Sequence, residues 1–131
     1  MALKEIHPEG WAPALGYSNG MLAPDGTLHI GGQIGWNENK AFVAADFVGQ
    51  MEQALRTIRA IVEAAGGAVE DVARLTWFVK DKAEYMARQK EVGQAYRRVF
   101  GRHFPAMSLL VVADLVEDAA LVEIEATAHI G

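Results

Sequence analysis

Val122-Glu123-Ile124-Glu125-Ala126-Thr127-Ala128-His129-Ile130 alternates apolar and polar residues without a break, which is the period of a β-strand with unlike faces. Successive side chains of a strand point to opposite sides. Val122, Ile124, Ala126, Ala128 and Ile130 therefore share one face, and Leu121, Glu123, Glu125, Thr127 and His129 share the other. The strand rise sets the two carboxylates about 7 Å apart. Two readings of the polar face stand open. It is the solvated side of an antiparallel sheet, or it lies under cover, where desolvation makes a glutamate a usable proton donor or acceptor.

The run Met107 to Val112 just upstream has Met107, Leu109 and Val111 on one face and Leu110 and Val112 on the other, with Ser108 as its only polar member. A strand apolar on both sides requires cover on both sides. In a sheet shared with Glu123, helices supply one layer and a second copy of the chain is the simplest source of the other.

Further outward, Val72 to Val79 reads as a strand with Leu75, Trp77 and Val79 on one face and Arg74, Thr76 and Phe78 on the other. From Asp46 to Ala65, Val48, Met51, Leu55, Ile58, Val62 and Ala65 recur at steps of three and four. That is one helical stripe, ended by Gly66-Gly67. A second helix opens at the capping-box pattern Asp81-Lys82-Ala83-Glu84, with a stripe of Tyr85, Gln89, Val92, Tyr96 and Val99. Gln89 is a polar intruder in that stripe. Either it is a site residue or it is a bridging amide satisfied by loop backbone, since a buried amide without partners is costly.

Asn19 to Ile30 reads as a hairpin turning at Pro24-Asp25-Gly26. Gly31-Gly32 follows inside the second strand, where glycines mark a bulge or a close approach to the backbone. Met1 to Gly20 reads as irregular, with Leu15 to Ser18 pairing briefly with a sheet edge. The order strand, strand, helix, strand, helix, strand, strand gives an α+β sheet with two helices on one face.

Composition narrows the function. A chain of 131 residues is one domain, residues 1–131, with room for a full core. A formal charge of -5 offers no basic field for nucleic acid. The absence of cysteine removes disulfides, thiolate metal sites and thiol catalysis. His7, His29, His103 and His129 lack the spacing of a helical metal pair, and no nucleophile elbow occurs around Ser18 or Ser108. Neither a membrane-length apolar run nor a signal-peptide pattern is present, so a cytoplasmic location is the expectation. Arg97, Arg98 and Arg102 cluster near the end of the second helix. They serve as favourable charge at a helix C-terminus, or one of them reaches a ligand.

Several segments together resemble the RidA/YjgF family of small enamine and imine deaminases. They are Tyr17-Ser18-Asn19-Gly20, Gly31-Gly32-Gln33-Ile34-Gly35, Gln50 with Ala54-Leu55, Ala64-Ala65-Gly66, Pro105-Ala106-Met107-Ser108 and Val122-Glu123-Ile124-Glu125. The resemblance covers nearly the whole chain. It implies a chorismate-mutase-like mixed sheet, assembly as a homotrimer, and clefts between subunits that hydrolyse a small enamine or imine without metal or organic cofactor. It also implies that Glu123 positions water or moves protons.

The likeness breaks at one point. The family's Pro-Ala-Arg-Ser motif holds a substrate carboxylate through its arginine, and that position here is Met107, which offers dispersion and a weak acceptor. The family's frequent helix tyrosine is Gly93, its neighbouring asparagine is Gln89, and its small pocket residue is Leu109. The expected site is thus Glu123 as catalyst, with Tyr17, Gly31, Gly32, Gln89, Met107 and Leu109 around the ligand, and Trp36 or Trp77 adding an aromatic wall. Such a cleft favours an apolar or aromatic ligand over a small amino-acid-derived imine. The alternative is a non-catalytic trimer that binds a small apolar metabolite or a protein partner in the same cleft.

Overall fold

The computed structural model describes residues 2–131. Six strands form one mixed sheet: β1 (Lys4–Ile6), β2 (Gly20–Leu22), β3 (Thr27–Gln33), β4 (Val72–Val79), β5 (Ala106–Val111) and β6 (Val122–His129). Their order across the sheet is β1-β2-β3-β6-β4-β5, so the last strand enters the centre. Neighbours are antiparallel except β4 and β5, which run parallel. Three helices accompany the sheet: α1 (Phe47–Ala64), α2 (Lys82–Ala87) and α3 (Gln89–Phe100), and a 3-10 turn at Val69–Asp71 leads into β4. No helix is long and apolar enough to cross a membrane.

The period-two reading of β6 holds: Val122, Ile124, Ala126 and Ala128 are buried, and Glu123 and Thr127 are half-buried on the opposite face. They pack with Leu75, Trp77 and Val79 of β4 and Leu28 and Ile30 of β3 against Met51, Leu55, Ile58 and Val62 of α1. α1 begins at Asp46, whose carboxylate accepts from Gly49 N–H at 3.0 Å. It ends where Gly66 takes φ 92°, a conformation that glycine adopts without a Cβ penalty.

Two expectations fail in instructive ways. The N-terminal segment that joins the sheet edge is Lys4–Ile6, paired with β2, while Leu15 stands 78% exposed. Lys4-Glu5-Ile6 buries only Ile6, and three residues are too few to show a period. The second helix is also broken in two at Arg88, with φ -112° and ψ 22°. Asp81 caps α2 by accepting from Glu84 N–H at 3.1 Å. The reciprocal half of the capping box is missing, because the Glu84 carboxylate accepts from Arg88 Nε at 2.9 Å.

Gln89 sits at this break. Its side chain is exposed and donates through Nε2 to the Tyr85 carbonyl at 2.9 Å, so it bridges backbone at the break. Of the buried amides Asn19, Gln33 and Gln50, the helical one is Gln50, 1% exposed. It donates to the carbonyls of Ala44 (3.2 Å) and Ala119 (2.9 Å) and accepts from Leu121 N–H at 2.8 Å. One side chain of α1 thereby fixes the loop that delivers β6. Gln50→Leu leaves those backbone groups without partners, so it is expected to lower stability by about 2–3 kcal/mol, read as a lowered urea midpoint at unchanged m-value.

Candidate functional site

Between Ile30 and Gln33 β3 advances three residues while its partner β6 moves only from Ala126 to Ile124. The extra residue is a bulge at Gly31-Gly32. It makes room for a carboxylate: a Cβ on Gly32 would lie 2.0 Å from Glu123 Oε2 and 2.6 Å from its Cδ. Only a glycine lets the Glu123 side chain lie against the β3 backbone. Burial pushes the Glu123 carboxyl above its ordinary value, and the like charge of Glu125 on the same face adds to the shift.

Tyr17, Ser18 and Asn19 close one side of a cleft of about 450 Å³ that also takes in Gly31, Gly32, Gln33, Trp36, Val116, Glu117 and Glu123. A run of side-chain hydrogen bonds sets the Tyr17 loop against β3. Gln33 Nε2 donates to Gly31 O at 3.0 Å and to Asn19 Oδ1 at 3.4 Å. Asn19 Nδ2 lies 3.3 Å from His7 Nδ1, and His7 Nε2 lies 3.2 Å from Trp11 O. The assignment that satisfies all of them has His7 protonated on Nε2 and accepting at Nδ1. Gly31 N–H donates to Asn19 O at 2.9 Å and completes the junction. Asn19, Gln33 and His7 are positioning residues to which the sequence reading gave no role, although Asn19 and Gln33 stood in its quoted motifs.

Gln89 and Met107 line a different cleft, of about 270 Å³, between β4–β5 and helices α2 and α3. Its walls are Leu75, Trp77, Tyr85, Val92, Gly93, Tyr96, Arg97, Phe104 and Pro105. Tyr96 stacks on Phe104 at 5.5 Å and donates its hydroxyl to His103 O at 2.5 Å. Burial pushes the Tyr96 phenol up to about 12, so it is an aromatic wall and not a proton carrier. Leu109 lines neither cleft: it is half-buried and packs against the core. The expected residues thus fall into two groups on one chain, Tyr17, Gly31, Gly32 and Glu123 in the first and Gln89 and Met107 in the second.

Met107 belongs to β5, the edge strand beyond β4, where Met107 is 49%, Leu110 47% and Val111 51% exposed. The strand's two-sided apolar pattern is left without a second layer in the single chain. No cluster of three His, Asp or Glu side chains among the described residues is placed to hold a metal ion.

The sequence matches the family described as Endoribonuclease L-PSP over residues 9–130. A RutC family protein of Haemophilus influenzae is 34% identical over 128 residues, which cover 98% of each chain. The crystal structure of the YjgF gene product of E. coli superposes with a TM-score of 0.81 at 37% identity, covering 96% of this chain and 98% of that one. E. coli TdcF with bound serine superposes at 0.81 with 29% identity, covering 98% and 99% of the two chains.

Two outcomes test this geometry. Because the folded-state pKa of Glu123 is raised, the folded state holds its proton above the pH at which the unfolded chain releases it, and stability falls as pH rises through that window. Glu123→Gln is therefore expected to raise Tm at pH 7 and to change it little near pH 3, below the ordinary glutamate pKa, where the carboxyl is neutral in both states. Gly32→Ala should displace the carboxylate, seen as loss of the native Glu123 side-chain position in a crystal structure of the variant.

Proposed function

Because the chain belongs to the Endoribonuclease L-PSP family, the RidA/YjgF group, we propose that it is a cofactor-independent hydrolase of the deaminase type, acting on a small molecule with a reactive C=N bond or an enamine. The observation that carries this reading is the Glu123 carboxyl, raised in pKa and set against the Gly31-Gly32 bulge in a cleft with Tyr17. The serine bound in TdcF supports a small organic molecule as occupant.

The chemistry needs one carboxyl that passes between its two forms. Protonated Glu123 gives its proton to the imine nitrogen, or to the β-carbon of an enamine, and leaves an electrophilic iminium carbon. The carboxylate so formed takes a proton from the water that adds to this carbon. Returned to the nitrogen of the carbinolamine, that proton makes ammonia the leaving group; as the carbonyl forms, the hydroxyl proton passes to the Glu123 carboxylate and restores its acid form. Imine and water become carbonyl compound and ammonia, with no redox change. A raised pKa brings the acid form of Glu123 closer to neutral pH, which general acid–base catalysis favours.

In the same reading the chain works as a homotrimer in which an edge strand from one copy covers the open sheet face of the next. The exposed apolar side chains of β5 support it, as does the division of the expected site residues between two clefts. RNA is a poor substrate for this site despite the family's name. The net charge is -5 and the Glu123 cleft also contains Glu117, so the phosphate backbone meets like charge.

Ammonia release from imines generated in situ by an amino-acid oxidase tests the reading. Glu123→Gln should lower turnover by at least about a hundredfold while leaving light-scattering mass at three chains. Unchanged turnover removes Glu123 from the chemistry, and a monomer at micromolar concentration removes the inter-subunit site. Absence of turnover in the wild type, with a ligand retained in the cleft, supports the non-catalytic binding reading, which Met107 favours.

A further inference from the structure

Arg97 and Arg98 are adjacent in α3 and do different things. Arg98 reaches Glu52 of α1 through Nη2 at 2.7 Å and Nε at 3.1 Å, so it ties the two helices together. Arg97 takes part in none of the ion pairs among the described residues. Its side chain leans toward the helix N-terminus, as helical side chains do, and lies across the residue one turn back. That residue is Gly93: a Cβ there would sit 3.4 Å from Arg97 Nη1 and 4.0 Å from Cζ. Both residues line the 270 Å³ cleft. A methyl at 93 would make ordinary van der Waals contact with the guanidinium, whereas a side chain that extends past Cβ would compete with it for its place.

The remainder of that wall is apolar and aromatic. Trp77, Tyr85, Tyr96, Phe104, Val92, Leu75 and Met107 surround the cleft, and the Trp77 indole N–H is buried with no protein acceptor. The Tyr96 hydroxyl is already committed to the His103 carbonyl. An uncommitted guanidinium at one end of an aromatic cleft fits one ligand chemistry: a planar anion, best a carboxylate, attached to a bulky apolar or aromatic group.

We propose that Arg97 is the anion anchor of this cleft, that Gly93 makes room for it, and that the substrate is therefore a bulky apolar or aromatic carboxylate. Met107 contributes apolar wall to the same cleft and no charge. The proposal rests on the hydrolase reading for which bond of that carboxylate reacts, but binding by Arg97 stands apart from turnover.

The test titrates the purified full-length protein with 3-phenylpropanoate, its neutral amide and acetate, following heat of binding. The carboxylate should bind at least about tenfold more tightly than the amide, and acetate should bind more weakly than either. Arg97→Gln should weaken the carboxylate by about tenfold to a hundredfold, the range of one charge-assisted contact, with the amide unmoved. Gly93→Tyr, which fills the space under the guanidinium, should have the same selectivity effect, and Arg98→Gln should have none. Equal binding of carboxylate and amide by the wild type overturns the proposal, as does no binding of either, or an Arg97→Gln variant that holds the carboxylate as tightly as the wild type. Glu123→Gln in the same titration separates the two readings: retained carboxylate binding with no imine turnover by wild type leaves the anchor standing and removes the hydrolase.

Discussion

The insertion of β6 between β3 and β4 is the constraint on which the rest of the molecule depends. Its register against β4 pairs Ile124 with Trp77 and Glu123 with Phe78, and its register against β3 pairs Ala128 with Leu28. With period two there is no intermediate phase. A slip of one residue would drive Glu123 and Glu125 beneath α1 and expose Val122 and Ile124. The core and the candidate catalyst are thus set by the same register, and any substitution that weakens the core-facing alternation also weakens the aim of Glu123. Gln50 acts at the entry to this arrangement, because Ala119 and Leu121 are the residues from which β6 departs.

β3 meets a second demand. It must pair with β6 and also let a carboxylate lie flat against its backbone, and an unbroken ladder of residues with side chains cannot do both. The bulge at Gly31-Gly32 separates the two functions along the strand: Thr27 to Ile30 pair in regular register, Gln33 resumes pairing, and the residues between accommodate Glu123. The cost of a local loss of ladder is offset by the buried polar junction of Gln33, Asn19 and His7, which holds the displaced backbone and the Tyr17 loop together. Desolvation of Glu123 follows from this closeness. The group that raises its pKa is chiefly the protein surface that covers it, with Glu125 second.

Patterns longer than about six residues were legible in the sequence. The alternation of β6, the α1 stripe and the Asp46 and Gly66 ends stand where their residues place them, and so does the hairpin at Asp25, whose carboxylate accepts from Thr27 N–H at 2.9 Å. What was not legible depended on local competition between hydrogen bonds. Arg88 follows four residues after Glu84, so the pattern Asp81-Lys82-Ala83-Glu84 satisfies two motifs at once; the ion pair won, and the capping box lost its second half. Gln89 stood inside a helical stripe and Gln50 beside one. Which of them is buried was decided by the helix break and by the loop at Ala119, both remote from any periodicity. Leu109 illustrates the same limit, since its face was read correctly and its distance from the clefts was not.

Placing an anion anchor on α3 has a different physical consequence from placing one on β5. A cation at position 107 would project from an edge strand whose other exposed members, Leu110 and Val111, are apolar, so any layer that covered the edge would also have to accommodate the desolvated charge. A methionine there leaves the edge uniformly apolar and able to repack. Arg97 instead extends from the last turn of a helix, where positive charge is favourable, and its guanidinium rests over a glycine on its own helix. The charge then approaches the cleft from the helical wall and leaves the strand edge free of it. An edge strand of this kind can be covered without burying a guanidinium, and a cation on α3 can change without disturbing the edge.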